Sequence, residues 1–403
     1  MKQADSNLGS ESASIVRLLD RRCDLMRARN TIFVASSRLP QKLDGIPGFF
    51  DGLLKLATQL DPQTDSLLTA AGTACDVFVR RIGQLFQIPV VSVSVVGDES
   101  KVPAVAEGES NEIVAVAAAG LKADDVLADM ANQMLVLSIR RNGNLHRAVE
   151  SRLSRGKATR LIVSSALTKK KLSNELLDQG ATGWYLFDAA AQQNQNDHPM
   201  PMVLSADEVD GGEFLLHWTR RRVGPWPDQS ESEFVDDLIF RSPRKDHREL
   251  AVLRRILATG KILSSNHLIR GDRSVTCFSD LTFGQLQNRR VFRPHLSRWD
   301  FEPFGVAIRK SWLKEQGARP VTYGDEPVWE SLAAKDQPFF QLKHETAKVD
   351  WSIENEWRVV GDVDLKQVPP DAGLVFVPTL EDAREIGLLS RWPVVVLSEE
   401  ADA

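Results

Sequence analysis

Between residues 31 and 187 the chain repeats one pattern: a short apolar run, then an amphipathic stretch, then another apolar run. The runs fall at residues 31–37, 89–96, 112–119, 133–139, 159–165 and 183–187. They do not alternate polar with apolar, so neither face of the strands they form is built to meet water. Strands buried on both faces need helices on both faces. The pattern therefore specifies a parallel sheet of Rossmann-like α/β type. Helices are expected over residues 14–29, 49–60, 65–86, 123–130, 145–155 and 169–179.

A sheet of that kind binds ligands beyond the carboxyl ends of its strands. Three stretches fall near such ends: Ser36-Ser37-Arg38, Gly72-Thr73 and Arg140-Arg141-Asn142-Gly143-Asn144. The last suits an anion best, because a Gly/Asn turn ahead of a helix N-terminus presents free backbone N–H groups. The plainer reading is a strand-to-helix turn. No G-x-G-x-x-G fingerprint occurs, so an ordinary dinucleotide fold is not indicated.

Residues 189–201 are Ala-, Gln- and Asn-rich and end in Pro-Met-Pro, the composition of a linker. The expected organisation is a first domain over 1–188, a linker over 189–210 and a second domain over 211–403. In the second, many short strands with few helices between them indicate an α+β, mostly β domain. Asp280 is expected to cap a helix over 281–287. Cys23, Cys75 and Cys277 are too few and too widely spaced for a disulfide framework or a Cys-rich zinc site. No apolar run is long enough to span a bilayer and no signal-peptide core is seen, which points to a cytoplasmic protein with no membrane partner.

The net charge of −5 predicts no polyanion partner, but its distribution is uneven. Residues 217–310 hold 18 Lys/Arg against 11 Asp/Glu, a local balance of +7. Such a stretch is either a face for phosphates and nucleic acid or a set of solvated helix faces.

The second half carries four chemically suggestive features in order: His217 inside a strand, Phe278-Ser279-Asp280 at a strand end, Tyr323 at another, and Glu354-Asn-Glu356-Trp-Arg358. In an extended segment Glu354 and Glu356 share a face. This order resembles the ADP-ribosyltransferase superfamily. The resemblance implies that NAD is the substrate, that Glu356 is catalytic and that Glu354 helps select the acceptor. It further implies that His217, in a first-strand motif with Thr219, orients NAD, while Phe278, Ser279 and Tyr323 line the nicotinamide pocket; Arg220, Arg222 or Arg270 would suit the pyrophosphate. A carboxylate near the ribose would stabilise the oxocarbenium-like cation formed when nicotinamide leaves. Residues 217–363 also resemble a group of uncharacterised bacterial proteins, some linked to abortive infection of phage-infected cells. They share a Phe-Ser strand end, a Val-x-Tyr strand and a Glu-x-Glu-Trp-Arg. The spacing from Phe278 to Glu356 departs from the transferases, and no Ser-Thr-Ser is present. The first half is similar to the nucleotide-sensing relatives of DNA-processing and cytokinin-activating Rossmann-like domains, on Ala71-Gly72-Thr73 and Asn142-Gly143-Asn144.

The reading is thus a sensor for a small-molecule nucleotide joined to an NAD-using effector without a metal, its acceptor a protein or a nucleic acid. Two alternatives stand beside it. One is a non-enzymatic module binding nucleotide or nucleic acid through the basic stretch from Arg220 to Arg298. The other is a nuclease holding a metal between Asp280, Glu354 and Glu356.

Overall fold

The computed structural model describes residues 17–18, 29–40, 42–96, 112–116, 121–164, 167–186, 201–209, 212–266, 269–270, 273–293, 298–342 and 355–397. The chain forms two compact units. The first contains β1 (Arg17–Leu18), β2 (Asn30–Ser36), α1 (Pro47–Ala57), β3 (Asp65–Ala70), α2 (Ala74–Phe86), β4 (Val90–Val96) and β5 (Glu112–Val116). It continues with α3 (Ala123–Met130), β6 (Gln133–Ser138), α4 (Asn144–Ser154), β7 (Thr159–Val163), α5 (Lys170–Asp178), β8 (Thr182–Tyr185) and, from much later in the chain, α6 (Glu231–Ile239).

The sheet order is β1-β5-β4-β3-β2-β6-β7-β8, parallel throughout from β5 to β8, with β1 antiparallel at the edge. Strands β4-β3-β2-β6-β7-β8 reproduce the order of a doubly wound Rossmann-like fold, which reverses between β2 and β6. Alternate residues of β2 enter opposite cores. Phe33 and Ala35 pack with α3, α4 and α5, whereas Ile32 and Val34 pack with α1, α2 and α6. Both faces are covered, which is why the runs read as unbroken apolar sequence.

Two expectations change here. The helix expected over 65–86 is a strand, a turn and a helix: residues 65–70 pair in parallel with β2 and β4, and Gly72 turns the chain at φ +72°. A short apolar run does not by itself distinguish a buried strand from a helix. The helix expected over 14–29 falls mostly outside the described residues, and Arg17 and Leu18 within it pair with Val116 and Ala115 of β5.

The third difference is in the domain division. Val223–Asp246, assigned by sequence to the second domain, packs with the first unit. Val235, Leu238 and Ile239 of α6 are buried against Phe49, Phe50 and Phe78. Arg81 donates two bonds to Asp236, both at 2.6 Å, and Arg241 pairs with Asp51 at 3.1 Å.

The second unit comprises residues 193–222 and 247–403, of which 201–209, 212–222, 247–266, 269–270, 273–293, 298–342 and 355–397 are described. Its elements are β9 (Val203–Ser205), β10 (Phe214–Trp218), α7 (Glu249–Thr259), β11 (Lys261–Ile262), β12 (Val275–Ser279), α8 (Phe283–Asn288), β13 (Phe292–Arg293), β14 (Arg298–Trp299), β15 (Gly305–Arg309) and α9 (Lys310–Glu315). They continue with β16 (Arg319–Pro320), β17 (Thr322–Gly324), α10 (Glu326–Ser331), β18 (Phe340–Leu342), β19 (Glu356–Val360), β20 (Val363–Asp364), β21 (Gly373–Val377), α11 (Leu380–Gly387) and β22 (Val394–Val396). The main sheet, β16-β19-β12-β10-β15-β21-β22-β9, is antiparallel up to β21 and parallel at the β9 end. This is the mostly β, α+β architecture expected of the second half. Asp280 does not cap the helix after β12; Thr282 does, in a reciprocal bond with Gln285. The Asp280 carboxylate pairs instead with Lys310.

Candidate functional site

The three polar stretches of the first unit meet at the carboxyl edge of its sheet. Ser36 at the end of β2 stands beside Ser138 at the end of β6, and the Ser37 amide donates to the Ser138 carbonyl at 2.8 Å. The Arg140 amide donates to Ser37 Oγ at 3.0 Å, and its guanidinium reaches the Arg38 carbonyl at 3.1 Å. The loops after β2 and β6 are thus bonded together where the strand order reverses, the usual ligand crevice of such a sheet.

After Arg140 the chain turns through Asn142, which holds φ +62°, a conformation Asn tolerates better than most residues. Gly143 is the N-cap of α4. No side chain caps this helix, and no acid sits in its first turn. The first backbone N–H groups of α4 therefore keep their partial positive charge available to an anion. A Cβ at Gly143 would meet only the Arg140 carbonyl, at 3.5 Å.

The neighbouring turn after β3 is built differently. Asp76, buried in the first turn of α2, accepts from the Gly72 amide at 3.3 Å, from Ser92 Oγ at 2.9 Å and from Arg80 at 3.1 Å. The Thr73 hydroxyl donates back to the Ala70 carbonyl at 2.8 Å. A carboxylate already occupies the positive end of α2. Of the two helix starts, only α4 is free for a phosphate. Gly72-Thr73, singled out in the sequence, lies in the turn between β3 and α2 rather than inside a helix over 65–86.

The residues singled out in the second unit are distributed differently. Leu216 pairs with Ser279, and Ser279 in turn with Glu356, so these share one face of the sheet. His217 follows Leu216 and lies on the opposite face, its ring 5.6 Å from that of Phe278. Ser279 and Glu356 are therefore brought together, whereas His217 and Phe278 are turned away from them. His217 Nδ1 bonds the Cys277 carbonyl at 2.8 Å. Desolvation by the packing around the ring holds its pKa below the ordinary value, against that bond and with help from the Arg220 charge.

Glu356 is engaged by Arg358, whose Nε and Nη2 reach its two carboxylate oxygens at 2.9 and 3.1 Å. Arg358 is only 1% exposed and also donates to the Pro338 and Phe340 carbonyls and to Gln341 Oε1. Cys277 lies on the Glu356 face; its crowded surroundings and the Glu356 carboxylate push its thiol up to about 12. Tyr323 stands in the separate β17–β18 pair, opposite Gln341. Thr219 is buried and donates to the Glu249 carbonyl at 2.9 Å, a bond that ties the end of β10 to the start of α7. Arg220 is exposed. Glu354 lies outside the described residues.

The described residues therefore form no cleft in which His217 faces Glu356. Nor do they hold a cluster of three or more His, Cys, Asp or Glu able to bind a metal. Among them, no helix is long and apolar enough to cross a membrane.

Fold and site together define a two-unit α/β protein whose first unit is Rossmann-like, with an open helix start at its reversal point. No protein family matches the chain, and no curated protein does. Among solved structures it is similar to a molybdenum cofactor carrier protein from Chlamydomonas reinhardtii. That likeness has 16% identity over 38% of this chain and 89% of that one, at a TM-score of 0.29. It is also similar to DNA processing protein A (DprA) from Streptococcus pneumoniae, with 13% identity over 40% of this chain and 60% of that one, at a TM-score of 0.28. At these scores neither likeness carries an argument.

Proposed function

We propose that the first unit binds a small phosphate-bearing molecule of nucleotide type, with a phosphate on the N-terminus of α4. The observation that carries this reading is the loop from Arg140 to Gly143. It is bonded to Ser37 where the strand order reverses, and it leads into a helix start that no side chain caps and no acid neutralises. Ser36 and Ser37 beside it carry hydroxyl groups for the rest of the ligand.

The test is Gly143→Asp. Aspartate is a good N-cap, and the position has room for a Cβ at an ordinary φ of −83°. The substitution should leave the fold intact or slightly more stable, while its carboxylate takes the place of the phosphate. Titration calorimetry with AMP, ADP, ATP, NAD and inorganic phosphate should find a ligand for the wild type and a loss of about tenfold or more in the variant, one charge-assisted bond or more. Unchanged affinity in a folded Gly143→Asp protein contradicts the assignment.

A second reading keeps an NAD-using ADP-ribosyltransferase-like role for the second unit, on the single observation that Ser279 and Glu356 are register partners. On this reading Glu356 acts without His217 beside it. NAD consumption by the full chain, lost in a folded Glu356→Gln protein, would support the reading; consumption that survives the substitution ends it.

A further inference from the structure

The loops after β2, β6 and β7 lie side by side along the carboxyl edge of the first unit. Ser37 bonds the β6 loop on one side; on the other, Ser138 Oγ donates to the Leu167 carbonyl at 2.8 Å and the Ile139 amide to Thr168 Oγ1 at 3.2 Å. Arg38 stands on the first loop, and Arg140 and Arg141 on the second, with Arg147 one turn into α4. Lys169, Lys170 and Lys171 lead into α5. All seven are exposed. Residues 36–40, 138–150 and 167–175 hold these seven against two carboxylates, a local balance of +5 where the whole chain carries −5. Both carboxylates are engaged within the edge, Glu175 by Arg141 and Glu150 at 3.4 Å from His146. Arg140 and Arg147 donate to neutral oxygens, the Arg38 carbonyl and Asn144 Oδ1. Arg38 and the three lysines meet no carboxylate among the described residues.

Like charges crowded on one edge repel one another, and an anion from outside relieves that repulsion. The spacing of the charges decides which anion. They extend over three neighbouring strands, about 10 Å at the ordinary strand separation. The phosphates of a mononucleotide are joined directly to one another and reach one loop. A nucleic-acid backbone repeats its phosphates along its length and can meet all three loops at once. The same three stretches include no Phe, Tyr or Trp, so the edge offers no such ring for a base to stack on. It is equipped for phosphates.

We infer that the nucleotide-type ligand of the first unit is an oligonucleotide, held by its phosphate backbone across the loops after β2, β6 and β7. One phosphate takes the start of α4, which rests on the function proposed above, and its neighbours pair with the cations on either side. Backbone contacts carry no sequence information directly, so little preference for base sequence is expected.

Fluorescence anisotropy with the full chain tests this, using labelled dT and U strands of about ten nucleotides and the dT strand paired with dA. The tightest of the three identifies the source. At about 50 mM salt it should bind about tenfold or more tightly than ADP, and log affinity should fall against log salt with a slope of about −2 or steeper, three phosphates or more. Lys169→Gln/Lys170→Gln/Lys171→Gln should flatten that slope by about 0.7 for each phosphate no longer neutralised, and Arg38→Gln, on the far side of the edge, by about 0.7. These positions are exposed, and unchanged melting temperatures would confirm the fold. Oligonucleotides that bind no tighter than ADP, or a slope that neither variant changes, overturn the oligonucleotide class. That failure leaves ADP bound and still sensitive to Gly143→Asp, whereas failure of the α4 site itself leaves ADP affinity unchanged in Gly143→Asp.

Discussion

The carboxyl edge of the first unit and the strand ends of the second both carry polar residues that look, in sequence, like sites. The structure treats them in opposite ways. At the edge of the parallel sheet, the bonds among Ser37, Arg38 and Arg140 are loop-to-loop bonds that fix backbone and leave an uncapped helix start facing outwards. At the ends of β12 and β19, Glu356 is consumed by a buried arginine and Asp280 by Lys310. The difference lies in where the compensating charge comes from. The Arg358 guanidinium is buried and finds its countercharge inside the fold, so it and Glu356 satisfy each other. A helix terminus at a surface edge carries only partial charge, which water or a ligand can answer equally well.

The largest effect that separates the two regions comes from their arginines. Arg358→Met leaves Glu356 without its partner and two carbonyls without a donor, and should cost the second unit about 3–5 kcal/mol in urea unfolding. Arg140→Met, at an exposed position, should change stability by less than about 0.5 kcal/mol. Equal costs would erase the distinction between a structural pair and an open edge.

A smaller effect tests how firmly the returning segment belongs to the first unit. Arg81 and Asp236 are partly exposed, so their doubly bonded pair should couple by about 0.5–1 kcal/mol in a double-mutant cycle. Zero coupling, with no new protease sensitivity in residues 223–246, would mean that the apolar contacts of α6 alone hold the segment.

The smallest effect is one of pH. His217 is held below its ordinary pKa, so the folded chain takes up its proton less readily than the unfolded chain. The stability this group contributes is present above about pH 6.5 and is lost as pH falls through the lowered value. The urea midpoint should therefore drop between pH 7.5 and 5.5 by more in the wild type than in His217→Asn. Identical slopes would remove His217 as a titrating group and leave only its packing against Phe278.

Much of the first unit was legible because burial on both faces writes itself into the strands as unbroken apolar runs. The same property misread residues 65–70, where a run short enough for a strand abuts a helix and only Gly72 marks the break. Residues 223–246 gave no sign that they belong with the first unit, since the apolar spacing of Val235, Leu238 and Ile239 says which face is buried and not against what. In the second unit the glutamate pair was visible, but its neutralisation by Arg358 was not. The pairing depends on β19 turning Arg358 into a pocket of carbonyls from residues 338 and 340. His217 and Glu356 could be placed on opposite faces only once the register of β10, β12 and β19 was known. A shift of one residue would have put them together.

The proposed phosphate site of this protein is the uncapped start of α4. The most direct measurement is a structure of the full chain with the nucleotide that calorimetry finds tightest. A phosphate within hydrogen-bond reach of the Asn144 and Leu145 amides, beside Ser37, is the expected result. A phosphate seated instead at the Gly72-Thr73 turn above Asp76, or in the second unit, would contradict it.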